Sequence, residues 1–179
     1  MRLTLAVAAA ALAPAGAYAV DYLSAEQAAR LMFPDAERFE QRELALDAAQ
    51  LQALAAQGVR GRSAHWTVRL ARRGSTTLGF VVVDEVLGKF ELIGYAVGLG
   101  ADGVVKQVEV LSYRESHGHE IRLPAWRRQF VGKSSASALQ VGEDIANISG
   151  ATLSCAHVTE GIKRIVAVVE LARHNGALA

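Results

Sequence analysis

The stretch Phe90–Tyr113, FELIGYAVGLGADGVVKQVEVLSY, decides the fold. Phe90 to Leu99 carries Leu92, Ile93, Tyr95 and Val97, residues that suit a pleated, half-buried surface. Val104 to Tyr113 follows with Val104, Val108 and Val110 at even spacing, the period of one strand face. Between them Gly100-Ala101-Asp102-Gly103 is a tight hairpin signal. A hairpin alone cannot bury a face, so neighbours are needed, and the chain upstream supplies them. Leu78 to Leu87 is apolar and β-branched, and Ala64 to Arg72 alternates, with Trp66, Val68 and Leu70 on one face and Thr67 and Arg69 on the other. Arg38 to Leu46 alternates more weakly through Phe39, Leu44 and Leu46. Downstream the period changes: over Leu153 to Ala172, the residues Val158, Ile162, Ile165, Val169 and Ala172 recur at helical spacing. The reading is α+β, an antiparallel sheet of about four or five strands packed with a long C-terminal helix. Short N-terminal helices complete it. Ser24 with Gln27, and Asp47 with Gln50, are capping boxes opening Ala25–Phe33 and Ala48–Gln57, which stop at Pro34 and Gly58.

The beginning of the chain addresses location. Met1-Arg2 precedes an apolar run from Leu3 to Ala13, broken by Pro14 and Gly16, and Ala17-Tyr18-Ala19 offers small residues where a signal peptidase reads. This is the layout of a secretory signal peptide over residues 1–19, leaving a single domain over residues 20–179 and a periplasmic protein. The alternative is a retained anchor holding it to the inner membrane, although the run is shorter than the ~20 residues of a spanning helix. With 19 basic and 18 acidic residues and a net charge of +1, no face is flooded with Lys or Arg, so nucleic acid is not an indicated partner. Cys155 is the only cysteine, which excludes an intrachain disulfide.

The richest stretch for chemistry is Asp144 to Lys163, DIANISGATLSCAHVTEGIK. Ser149 and Thr152 flank the flexible pair Gly150-Ala151 directly before the long helix. The N–H groups of a helix's first turn lack intrahelical partners and the dipole there favours negative charge, so a phosphate suits that position. The competing reading makes Ser149 or Thr152 an ordinary helix cap.

Ile148–Ser154, ISGATLS, resembles the flavinylation motif of the FMN-binding domain family, which includes the FMN-bearing subunits of the sodium-translocating NADH:quinone reductase and of the Rnf complex. The similarity runs from about Gly94 to the end of the helix, with Val158-Thr159-Glu160-Gly161-Ile162-Lys163 resembling the family's next helical turns. It implies FMN as cofactor, joined through its phosphate to the threonine closing S-G-A-T, here Thr152, by a dedicated flavin transferase. Ser149, Gly150, Ala151, Leu153 and Ser154 would surround the attachment point. The family usually has an acid six positions before that threonine, where this chain has Ala146.

A second constellation is Tyr113-Arg114-Glu115-Ser116-His117-Gly118-His119-Glu120, a polar turn after a strand and a common kind of place for ligand contacts. The resemblance places Glu115, Ser116, His117 and Gly118 near the flavin. A metal reading competes, since His117, His119 and Glu120 could converge on one ion, yet no cysteine lies nearby. Third, Trp126 and Phe130 are four apart in Pro124–Lys133, a short helix whose aromatics by default enter the core. The resemblance lets Trp126 and Lys133 wall the site. Cys155 and His157 do not share a helix face, so no Cys–His nucleophile is indicated.

The resemblance thus implies an electron-transfer carrier with membrane or periplasmic redox partners. No G-x-G-x-x-G follows a strand, so direct NADH oxidation is not indicated. Two further readings stay open: a small flavin reductase with its own substrate, and a non-redox exported binding domain in which S-G-A-T only caps a helix.

Overall fold

The computed structural model describes residues 22–179; the signal-peptide reading of residues 1–19 lies outside them. Five strands form one antiparallel sheet in chain order: β1 (Arg38–Ala45), β2 (His65–Arg73), β3 (Thr76–Leu87), β4 (Leu92–Gly100) and β5 (Val105–Ser112). The alternation read in β2 is present, with Trp66, Val68 and Leu70 buried on one face. The hairpin turn closes as its glycines suggest, the Gly103 N–H donating to the Gly100 carbonyl at 2.9 Å. Register shifts beside Gly94 and Gly98 mark bulges in the β4–β5 ladder, which locally increase its twist.

Helices cover both faces. The long helix α4 (Thr152–His174) lies across β3 and β4, and its residues Val158, Ile162, Ile165 and Val169 join Val82, Val86, Ile93, Tyr95 and Val97 in the main core. On the other face α1 (Ala25–Met32) buries Ala28, Ala29 and Met32 against Val81, Ala96 and Leu111. Over Gly79–Val82 and Tyr95–Leu99 both faces of the central strands are therefore covered, which is why β3 and β4 read there as continuous apolar runs rather than clean alternations. Both capping boxes form: Ser24 accepts from the Gln27 N–H, and Asp47 from the Gln50 N–H at the head of α2 (Ala48–Ala56). The short helix around Trp126 is only one turn, α3 (Pro124–Arg127), followed by a 3₁₀ turn over Arg128–Phe130. Among the described residues no helix is long and apolar enough to cross a membrane.

One contact fixes how α4 sits. Gly161 faces Tyr95, and a Cβ at position 161 would stand 1.9 Å from the Tyr95 hydroxyl. That hydroxyl donates to Asp84 Oδ2 at 3.1 Å. Burial, then the neighbouring Asp84 carboxylate, pushes the Tyr95 phenol well above its ordinary value, so it stays a protonated donor.

Candidate functional site

The two polar constellations, some thirty residues apart in the chain, share one cavity of about 460 Å³ beside the start of α4. Glu115, Ser116 and His117 line one wall, Gly150, Ala151, Thr152, Leu153 and Ser154 the other, and Lys89 and Phe90 from the β3–β4 turn complete it. Gly118 makes the approach possible. It has φ +84°, and a Cβ there would lie 2.2 Å from the Ala151 Cβ and 2.7 Å from the Tyr113 hydroxyl. Tyr113, 2 % exposed, ties the walls together: its hydroxyl donates to the His117 carbonyl and lies 3.4 Å from Ser154 Oγ. Burial raises the Tyr113 phenol above its ordinary value, so it holds this bond as a donor.

The head of α4 differs from those of α1 and α2. Ala151 is its N-cap, no side chain caps it among the described residues, and no acid occupies its first turn. Thr152 is therefore the first helical residue and not a cap; nor is Ser149. Thr152 is exposed, its Oγ1 accepting only from Asn147 Nδ2 at 3.1 Å. Uncapped N–H groups, a dipole favouring anions and an accessible hydroxyl stand together at one point.

Glu115 does something the sequence did not reveal. It is 7 % exposed, and its Oε1 accepts the N–H groups of Lys89, Phe90 and Glu91 at 2.5, 2.7 and 3.0 Å. Burial acts to raise its pKa, but these three donors outweigh it and hold the carboxyl below the ordinary 4.5. Because the folded pKa is depressed, its contribution to stability is whole above about 4.5 and fades as pH falls through the lower folded value. Glu115→Gln should flatten the acid limb of stability against pH, and by leaving a weaker acceptor should cost about 2 kcal/mol at neutral pH. Thermal melts between pH 3 and pH 7 check it; parallel wild-type and variant curves would refute it.

The remaining sequence candidates stand apart. Ser149 precedes the cavity and does not line it. Trp126 is 5 % exposed, packs edge-on against Phe130 with ring centroids 5.0 Å apart, and donates to the Ala146 carbonyl at 2.8 Å. It braces the segment leading to the motif from behind. Lys133 pairs with Asp144 at 2.8 Å, and Asp144 also accepts the N–H groups of Leu139 and Gln140, so neither charge reaches Thr152. Ala146, at the family's acidic position, is bound only through its backbone, to Trp126 and to Gln129 Oε1. His117 Nδ1 meets Ser116 Oγ at 2.9 Å and His119 stacks edge-on with Tyr113, and no three metal-ligating side chains converge among the described residues. Cys155 is wholly buried, and burial raises its thiol, so it packs as a small hydrophobe. His157 turns away to the Leu87 carbonyl.

The residues missed in the sequence are Lys89 and Phe90. Phe90 is 72 % exposed, with the Lys89 ammonium 4.8 Å from its ring centre. The sequence reading began a strand at Phe90, whereas β4 begins at Leu92 and residues 88–91 form a turn closed from Gly88 N–H to the Glu91 carbonyl. Gly88-Lys89 between two apolar strand-like runs was the available signal of a turn.

Comparison with known proteins bears directly on this cavity. Residues 88–167, which contain every residue lining it, match the FMN-binding domain. This segment belongs to the FMN-binding domain family. FMN is accordingly the cofactor of the domain, and the site suits it: a cavity of cofactor size, with an open hydroxyl at an uncapped, acid-free helix start for a phosphate. The fold is shared with the crystal structure of NqrC from Shewanella oneidensis, at a TM-score of 0.52 and 17 % identity over 75 % of this chain and 80 % of that one. No curated protein matches the chain.

Proposed function

We propose that this FMN-binding protein is an exported electron carrier whose flavin is joined through its phosphate to Thr152 Oγ1. The observation that carries the reading is the exposed Thr152 hydroxyl at the uncapped head of α4, opening into the cavity that Glu115, Ser116 and His117 also line. The other hydroxyls suit attachment less well: Ser154 is 3 % exposed and lies against Tyr113, and Ser149 stands outside the cavity. FMN supplies one- and two-electron redox chemistry. The chain's part is to hold it, with first-turn N–H groups toward the phosphate and an ionised Glu115 carboxylate beside it whose charge is held by three backbone N–H groups.

Attachment is a phosphoryl-type transfer from an activated flavin dinucleotide: Thr152 Oγ1 gives up its proton and bonds to the flavin-side phosphorus, the pyrophosphate P–O bond breaks, and the nucleoside monophosphate leaves carrying that bond's electron pair, so the chain gains FMN less one water. A flavin transferase is the maturation partner, and the donor and acceptor are membrane or periplasmic redox proteins, in keeping with a fold shared with NqrC. Export rests on the signal-peptide pattern of residues 1–19, with cleavage after Ala19. The redox reading is favoured over a non-redox binding domain because neither Ser149 nor Thr152 caps α4, Ala151 being its N-cap.

The test is to co-express the precursor with a flavin transferase, recover the exported protein and weigh it intact. The mature chain should carry FMN less one water, and Thr152→Ala should carry none. A colourless, unmodified wild type would count against the proposal.

A further inference from the structure

A second cavity, of about 550 Å³, lies further along α4 from the flavin site. Ala156, Thr159, Glu160 and Lys163 are spaced i, i+3, i+4 and i+7, so they form one stripe of the helix facing it. Val59 and Arg60 close one side and Leu139, Gln140 and Val141 the other.

Two features distinguish this cavity from a casual surface fold. The first is unspent hydrogen-bonding capacity. Thr159 is 1 % exposed, and its hydroxyl has no hydrogen-bond partner among the described residues, although a buried hydroxyl left unpaired is costly. Arg164, 7 % exposed, donates from Nε to the Arg60 carbonyl at 2.8 Å, but its Nη1 makes no hydrogen bond, Asp84 Oδ2 being 3.7 Å away.

The second feature is charge. Arg60, Lys163 and Arg164 border the space against two carboxylates, Glu160 exposed at its lip and Asp84 ion-paired with Arg164 from behind the lining. Lys163 gives one hydrogen bond, to the Ala138 carbonyl at 3.0 Å, leaving further ammonium donors. The adjoining loop is also held in an unusual shape: Leu139 has φ +46°, a conformation rare for a branched side chain, and Asp144 fixes its N–H.

We propose that this cavity is a binding site for a small oxyanion, the phosphate or carboxylate group of a compact molecule, received by the Thr159 hydroxyl and by the cations of Lys163 and Arg164. A turn of the Thr159 side chain to its other helical rotamer brings the hydroxyl, sealed from the cavity in this structure, to a ligand oxygen that accepts the hydrogen bond it otherwise lacks, and the ligand answers the net positive charge of the lining. The site is separate from the flavin cavity: the two share no lining residue. It does not depend on covalent attachment at Thr152.

The experiment is a titration of the exported, flavin-loaded protein followed by backbone amide shifts. Inorganic phosphate and succinate are added in separate arms at constant ionic strength, with chloride as the reference. The expected result is a saturable shift of Arg60, Gln140, Thr159 and Lys163 with one of the two anions, the tighter one naming the ligand class. Thr159→Val, which keeps the shape and removes the hydroxyl, and Lys163→Met should each weaken that binding about tenfold. Thr159→Val should also leave the anion-free melting temperature equal or higher. Linear, unsaturating shifts with both anions would overturn the proposal, as would shifts confined to Gly150–Ser154 or saturable binding unchanged in both variants. A lowered melting temperature in Thr159→Val with binding intact would make the hydroxyl a seat for a structural water, and overturns it equally.

Discussion

Gly118→Val is expected to leave the protein largely without flavin and measurably less stable. Position 118 combines a left-handed backbone, φ +84°, with direct contact to Ala151, where a Cβ would meet another carbon at 2.2 Å. A β-branched residue meets both obstacles at once, the backbone conformation costing about 1–2 kcal/mol and the overlap another 1–3 kcal/mol. Neither neighbour can yield cheaply. Ala151 is the N-cap of a 23-residue helix, and the Tyr113 hydroxyl is bound to the His117 carbonyl. The loop must therefore move off the helix start, and the cavity wall of Glu115, Ser116 and His117 moves with it. Because the displaced wall and helix start no longer present Thr152 and the flavin together, less flavin should be attached, and the flavin-to-protein absorbance ratio after gel filtration should fall severalfold. A variant with full flavin and an unchanged melting temperature would show that the approach of Gly118 to Ala151 is not what forms the site.

Gly161→Val should have the largest effect on stability alone. The position lies mid-helix, where glycine is ordinarily a poor choice and replacement by a larger residue gains propensity. Here the Tyr95 hydroxyl occupies the place of the side chain, 1.9 Å from the Cβ, with Tyr95 Cζ at 2.8 Å and Val86 Cγ1 at 3.2 Å. Tyr95 is wholly buried and anchored to Asp84, so α4 must lift from β3 and β4. A cost of about 3 kcal/mol corresponds to a fall of roughly 6–12 °C in melting temperature for a chain of this size. Adding Tyr95→Phe removes the nearest atom and should restore part of the loss; a double variant no better than the single one would contradict this account of how α4 docks.

The sheet and the long helix were legible because each element keeps one period over many residues: Trp66, Val68 and Leu70 in β2, and Val158, Ile162, Ile165 and Val169 in α4. The two N-terminal helices announced themselves through Ser24–Gln27 and Asp47–Gln50, reciprocal bonds that are local and therefore written locally. At the site the motif Ser149–Ser154 and the turn Glu115–Gly118 were both visible, one as a helix start and one as a polar strand end. What the sequence did not show were the contacts between distant segments. Glu115 holds the N–H groups of Lys89, Phe90 and Glu91, more than twenty residues away, and no spacing rule connects them. Phe90 was assigned to a strand because its neighbours are strand formers, whereas this carboxylate draws its backbone into a turn. Trp126 and Lys133 precede the motif in the sequence, but they are bound to Ala146 and Asp144 and do not line the cavity. The absence of a cap on α4 was likewise invisible, since Ser149 and Thr152 are both residues that cap well elsewhere.

The central claim is that Thr152 Oγ1 bears the flavin, and it can be tested atom by atom. Trypsin releases residues 134–163 as one peptide, because Lys133 and Lys163 bound it and no Lys or Arg lies between. The peptide contains Ser149, Thr152 and Ser154, the hydroxyls around the motif. Fragmentation of the yellow peptide from exported, transferase-matured protein should locate the added FMN, less one water, on Thr152. The added mass on Ser149 or Ser154, or no added mass on a fully exported chain, would contradict it.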